Sequence, residues 1–188
     1  MATTSTRFET ARQRYSGVAI SLHWLIALLM ICGFYLGWIM TDIPGFTPTK
    51  LKYFSWHKWI GVTVFALAVI RLLWRLTHRA PPLPDTTTAF QNAAAHAVHG
   101  LLYLLMLAIP ISGYFYSSSA GIQVVYLGIV PLPTIIGPDK VLKAALRTTH
   151  IWLNYTLLAC FALHVLAALK HHFIERDGIL GRMIPFLK

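Results

Sequence analysis

Acidic side chains are nearly missing from this sequence: six Asp and Glu in 188 residues, with all charged residues together at 12%. Soluble globular domains carry about twice that charged fraction, so an ordinary water-soluble enzyme is excluded. Cysteine is also scarce. Cys32 and Cys160 each sit in the middle of an aliphatic run, which reads as buried packing and suggests neither a disulfide framework nor a zinc site. No Cys-x-x-Cys-His stretch occurs, so covalent c-type haem is excluded by its own attachment chemistry. What the chain does have is apolar surface, with 56% hydrophobic residues and a mean hydropathy of +0.61. Lys and Arg number 16, for a formal net charge of +10. In a soluble chain that excess would suggest nucleic acid; beside long apolar runs it reads as basic flanks facing anionic lipid.

Uncharged runs of roughly 20 residues predict four membrane spans, at about 18–40, 55–76, 96–116 and 149–173. The chain is thus expected to be one all-α transmembrane domain over 1–188. The first run is too long and too aromatic for a signal-peptide core and is expected to be retained. Pro110 lies inside the third run, where membrane helices tolerate proline. The stretch from His78 to Gln91, with Pro81, Pro82, Pro84 and Asp85, reads as a polar loop. Residues 122–136 are apolar but short and contain Pro131 and Pro133, so an interfacial or re-entrant segment is expected rather than a fifth span. On one face lie Arg7, Arg12, Arg14, Arg71, Arg75, Arg79, Lys170, Arg176, Arg182 and Lys188. The other face has Lys50, Lys52, Lys58, Lys140, Lys143 and Arg147. This bias predicts both termini in the cytoplasm. Tryptophans 24, 38, 56, 59, 74 and 152 fall near span ends, as an aromatic belt would.

Nine histidines in so apolar a chain are the informative feature, because ionisable groups inside a membrane are costly and usually functional. His23 lies on the first span, about 8 Å from its inner end at 1.5 Å per residue. His57 and His150 lie in the outer layer of the second and fourth spans, and His164 lies about 21 Å below His150. Fourteen residues at roughly 100° each bring His164 back to within about 40° of the face of His150. One helix therefore offers imidazoles at two depths. His23 pairs by depth with His164, and His57 with His150, which is the requirement of two six-coordinate haems stacked across a membrane. Two separate layers also argue against a single tetrahedral zinc site. For any one histidine, a satisfied polar residue inside a bundle is the plain alternative. His96 and His99, at the start of the third span, are possible substitutes for His23.

Gly61, one turn beyond His57, would let a planar macrocycle approach its helix; Gly33, Gly37 and Gly113 are open to the same reading or to close helix packing. Arg71 falls on the face of His57 at the depth of the inner pair. Arg71 and Arg75, one turn apart, are suited to haem propionates or to headgroup anchoring. His171, about 10 Å deeper than His164, is placed for a hydrogen bond to a quinone carbonyl and a proton route, or belongs with Lys170 and His172 to an interfacial basic cluster.

With these features the sequence resembles the bacterial cytochrome b561 family of four-helix di-haem b cytochromes of the inner membrane. The matching pieces are RYSGVAISLHWL, SWHKWIGV followed by VIRLLWRL, AAHAVHGLLYLLMLAIPISG, and THIWLNYTLLACFALHVLAALKHHF, and the likeness spans about residues 14–175. The resemblance implies a four-helix up-down bundle enclosing two b-type haems, with His23, His57, His150 and His164 as axial ligands. It also implies a link between His171 and ubiquinone. One member of the family is a superoxide oxidase that moves electrons from periplasmic superoxide to ubiquinone, and others anchor hydrogenases. The second loop, PDTTTAFQ, departs from the lysine- and proline-rich segment of the superoxide oxidase. Three functions follow as expectations. The first is a free-standing oxidoreductase between the ubiquinone pool and a periplasmic donor, superoxide among them, with the outer basic residues attracting an anion. The second is a membrane-anchor subunit of a larger redox complex; the third is a non-redox, histidine-lined proton transporter.

Overall fold

The computed structural model describes residues 14–78, 80–82, 87–184 and 186–187. Arg7, Arg12, Arg79 and Lys188 of the charge count, with Pro84 and Asp85 of the loop, lie outside the described residues. Four helices make up the body: α1 (Gly17–Asp42), α2 (Pro48–Thr77), α3 (Ala89–Ser119) and α4 (Lys140–Lys170). All four are long and apolar enough to cross a membrane. Successive helices pack as neighbours, α1 on α2, α2 on α3 and α3 on α4, as an up-down bundle requires.

Capping residues, and not the limits of the apolar runs, set the helix ends. Ser16 accepts the amide of Ala19 at the start of α1, and Thr47 accepts that of Lys50 with Pro48 at the first helical position. Proline there gives up only an amide that would be unpaired in any case. Thr88 and Gln91 close a reciprocal capping box on α3, and Asp139 accepts from Val141 and Leu142 on α4. In consequence α2 begins at Pro48 instead of 55, α3 runs from Ala89 to Ser119 instead of 96 to 116, and α4 begins at Lys140 instead of 149. The 30 and 31 residues of α2 to α4 rise about 45 Å against an apolar bilayer of about 30 Å, so each stands clear of it by several turns.

Two apolar clusters hold the bundle together. Ile26, Val64, Ala68 and Met106 join α1, α2 and α3; Leu105, Ile109, Leu157 and Cys160 join α3 to α4, so Cys160 is buried packing as expected. Side chains such as Leu28, Tyr35, Leu73 and Leu166 are exposed on the outside, where lipid replaces a protein partner. Residues 122–136 form no helix. Val125–Tyr126 pairs antiparallel with Val130–Pro131, and the turn passes through Leu127 and Gly128 in left-handed conformations. Tyr126 shares a hydrogen bond with Thr63 of α2 at 2.9 Å, and the indole of Trp59 donates to the Val125 carbonyl at 2.8 Å. Thr63 is six residues past His57, about 9 Å along the helix, so the hairpin folds back along the side of the bundle.

At the opposite end the chain closes on itself. Trp24 donates to the Met183 carbonyl at 2.9 Å and Trp74 to the Ser16 hydroxyl at 3.2 Å. The two ends of the bundle are called here the hairpin side and the terminus side.

Ala68 is fully buried where α1, α2 and α3 meet. Replacing it with leucine overfills that junction, and a loss of about 1–3 kcal/mol is expected. Thermal unfolding in detergent should show A68L melting below the unsubstituted protein.

Candidate functional site

The site is built from histidines on three helices. His57 of α2 faces His150 of α4 on the hairpin side, with ring centres 6.3 Å apart. His23 of α1 faces His164 of α4 on the terminus side, at 6.1 Å. These separations have a chemical meaning. A metal–imidazole bond of about 2.0–2.1 Å, plus about 1.1 Å from nitrogen to ring centre, places two rings on opposite sides of one metal about 6.3 Å apart. Both pairs sit at that distance. His99 of α3 also reaches the terminus-side layer, but its ring centre is 5.2 Å from that of His164, too close for the two to flank one metal as they stand. His96 bonds instead to the Asn92 carbonyl of its own helix at 2.8 Å.

On the hairpin side the ring tautomers follow from the acceptors. Nδ1 of His57 lies 3.0 Å from the Gly33 carbonyl, which can only accept, so this nitrogen carries the proton and Nε2 keeps a free lone pair. Ser112 donates its hydroxyl to the Ile109 carbonyl at 2.8 Å and is left to accept from Nδ1 of His150 at 2.9 Å. The Ile109 carbonyl lies 3.2 Å from the same nitrogen. Metal-bound imidazoles are commonly oriented by this kind of bond. Glycine gives the rings their room. A Cβ at Gly37 would lie 3.3 Å from Cε1 of His57, and one at Gly113 would lie 3.0 Å from Cε1 of His150. These two glycines therefore leave room for the imidazoles themselves. Gly61, by contrast, faces open space with nothing within 4 Å of its Cβ direction.

That open space is a cleft lined by both hairpin-side histidines, Gly33, Gly61 and Gly113 among mainly apolar side chains such as Met30, Phe34 and Leu105. Lys58 and Asn154 are polar members of its wall. The donor set, the ring spacing and the bare Gly61 wall fit a flat, metal-centred macrocycle.

Arg71 and Arg75 turn toward the bundle. The guanidinium of Arg71 donates to the Ala19 carbonyl of α1 at 2.8 Å and to the Tyr103 hydroxyl of α3 at 3.0 Å, and that of Arg75 lies over the Tyr103 ring. His171 stands apart at the end of α4, its Nδ1 within 2.6 Å of both Glu175 and Asp177. Lys170 pairs with Glu175. Ser112, Tyr103, Glu175 and Asp177 are site neighbours that sequence reasoning passed over. For Ser112 a signal existed, a polar side chain next to Gly113 in an otherwise apolar run.

A family model described as prokaryotic cytochrome b561 matches residues 14–186. The chain belongs to the prokaryotic cytochrome b561 family. This cytochrome is 33% identical over 178 residues to "Cytochrome b561 homolog 2" of Escherichia coli (strain K12), covering 94% of each chain. To "Probable superoxide oxidase CybB" of Yersinia pestis it is 30% identical, over 92% of this chain and 97% of the relative. Family membership and four apolar helices make it a multi-pass bacterial membrane protein that transfers electrons, an oxidoreductase with b-type haem. A non-redox proton transporter does not fit that membership.

The ring-support role of Gly113 is testable in the b-type absorption spectrum of the purified cytochrome. G113A forces the His150 ring to move by a few tenths of an ångström and is expected to shift or weaken the reduced bands. G17A, at a position with nothing within 4 Å and outside the cleft wall, is expected to change them less. Equal effects would contradict the ring-support role of Gly113.

Proposed function

We propose that this cytochrome carries two b-type haems, one between His57 and His150 and one between His23 and His164, and moves single electrons between a periplasmic donor and the ubiquinone pool. The observation that carries this reading is the recurrence of one ring separation, 6.1 and 6.3 Å, at two depths of one bundle. Bound haem supplies the one-electron chemistry. The chain's own contribution is to present Nε2 of each hairpin-side imidazole, by holding Nδ1 on Gly33 or on Ser112 and Ile109. A haem held by two imidazoles would serve electron transfer rather than oxygen binding. Arg71, tied to Ala19 and Tyr103, and Arg75 supply positive charge near the terminus-side pair, suited to propionates. Gly61 gives the hairpin-side macrocycle its wall.

The Lys and Arg bias of the sequence supports an orientation with both termini in the cytoplasm of the bacterial inner membrane. His171 then lies on the cytoplasmic side, with Nδ1 held by carboxylates and Nε2 available to a quinone carbonyl. Superoxide is the donor we favour. A relative carries the name of a probable superoxide oxidase, and the periplasmic end is cationic. Lys50 is committed to the Ile43 carbonyl and Lys52 to the Trp56 ring. Lys58 lines the cleft, while Lys140, Lys143 and Arg147 stand on the protruding turns of α4. These cations would raise the encounter rate of a small anion.

Pyridine haemochrome assay of the purified protein should give two haems per chain, with H57L and H164L each retaining one. A single haem in the unsubstituted protein would overturn the two-layer assignment. Superoxide-driven ubiquinone reduction should slow several-fold as ionic strength rises from about 0.01 to 0.5 M, because the Debye length shortens from about 30 Å to a few ångströms. A rate that ignores salt, or no rate at all, would remove superoxide as the donor.

A further inference from the structure

Where α4 ends, the backbone widens into a π turn over His171–Glu175 and then reverses through Arg176 in the left-handed region, φ 53°. These two irregularities carry Asp177 back beside His171. Nδ1 of His171 lies 2.6 Å from Oε2 of Glu175 and 2.6 Å from Oδ2 of Asp177, and one ligand atom from each of the three residues falls within 4.8 Å of the others. The Asp177 and His171 side chains are largely buried, at 8% and 17% exposure. One N–H cannot serve two carboxylates equally. The second carboxylate is balanced by Lys170, 2.6 Å from Oε1 of Glu175, and Gln91 of α3 donates to the same oxygen at 2.8 Å.

We propose that His171, Glu175 and Asp177 form a divalent transition-metal site, one nitrogen and two carboxylate oxygens, at the terminus-side end of α4. Imidazole with carboxylates suits Zn²⁺ better than Mg²⁺, which prefers oxygen and water alone. Bonds of about 2.0–2.1 Å in a tetrahedron separate ligand atoms by about 3.3 Å, so the present 2.6 Å contacts need to open by less than about 1 Å. The fourth position is left to water. On binding, the metal takes the place of the Nδ1 proton, which leaves to solvent, and its two charges balance the two carboxylates. Lys170 is freed from its role as counter-ion. The site is independent of the haem assignment, since none of the four paired histidines belongs to it, and it uses Nδ1 of His171, whereas the proposed quinone contact uses Nε2.

The test is equilibrium binding of Zn²⁺ to the purified haem-loaded protein in detergent, measured by calorimetry and by metal content after gel filtration. One Zn²⁺ per chain is expected in the unsubstituted protein, with affinity weakened at least about tenfold in D177N and in E175Q. An H172N variant should bind as the unsubstituted protein does, because His172 lies outside the three-residue cluster. The reduced absorption spectrum identifies which variants are folded. If D177N fails to retain it, E175Q carries the test. No saturable Zn²⁺ binding, or binding unchanged in the folded carboxylate variants, overturns the site.

Discussion

A polar side chain inside a bilayer has no water to fall back on, and the whole arrangement depends on meeting that constraint from within the protein. At His57 and His150 one ring nitrogen of each imidazole is matched to a backbone carbonyl or to the relaying hydroxyl of Ser112. Satisfying that nitrogen holds the ring and leaves the other nitrogen with a free lone pair. Solvation of the histidine and its orientation for chemistry are thus one interaction. The same logic explains why glycine backs those two rings: a backbone carbonyl reaches an imidazole only where neighbouring side chains are small.

Helix ends obey a different rule from the middle. Within the membrane, apolarity decides what is tolerated. At the ends, the first unpaired amides decide where a helix starts, and Thr47, Thr88 and Asp139 meet them several residues before hydropathy rises. The basic residues of α4 consequently stand on helix and not on loop. The hairpin over 125–131 answers the bilayer constraint at its own edge, through Trp59 and Thr63 of α2.

Much of this was legible beforehand. The four helices follow from uncharged runs, and the pairing of His23 with His164 and of His57 with His150 follows from residue spacing, since rise and rotation per residue are fixed for any α-helix. Lateral placement is not fixed in that way. His99 was recognisable as lying at the right depth, yet its ring distance from His164 depends on how far α3 stands from α4, which packing alone decides. Gly37 and Gly113 were legible as places of close approach, but not as the positions that leave room for the imidazoles. The contact of Asp177 with His171 was hidden because it requires a π turn and a left-handed arginine, neither of which has a sequence signature beyond the helix end itself.

One helix, α4, contributes a histidine to both layers, while α1 and α2 each contribute one. A helix is stiff along its axis, so the spacing between His150 and His164 does not adjust separately at either layer. Sliding α4 by a fraction of a turn, or tilting it as bilayer thickness changes, would displace one ring of each pair together. The two layers are thereby mechanically linked, and a neighbour that leans on the exposed face of α4 would be felt at both depths at once.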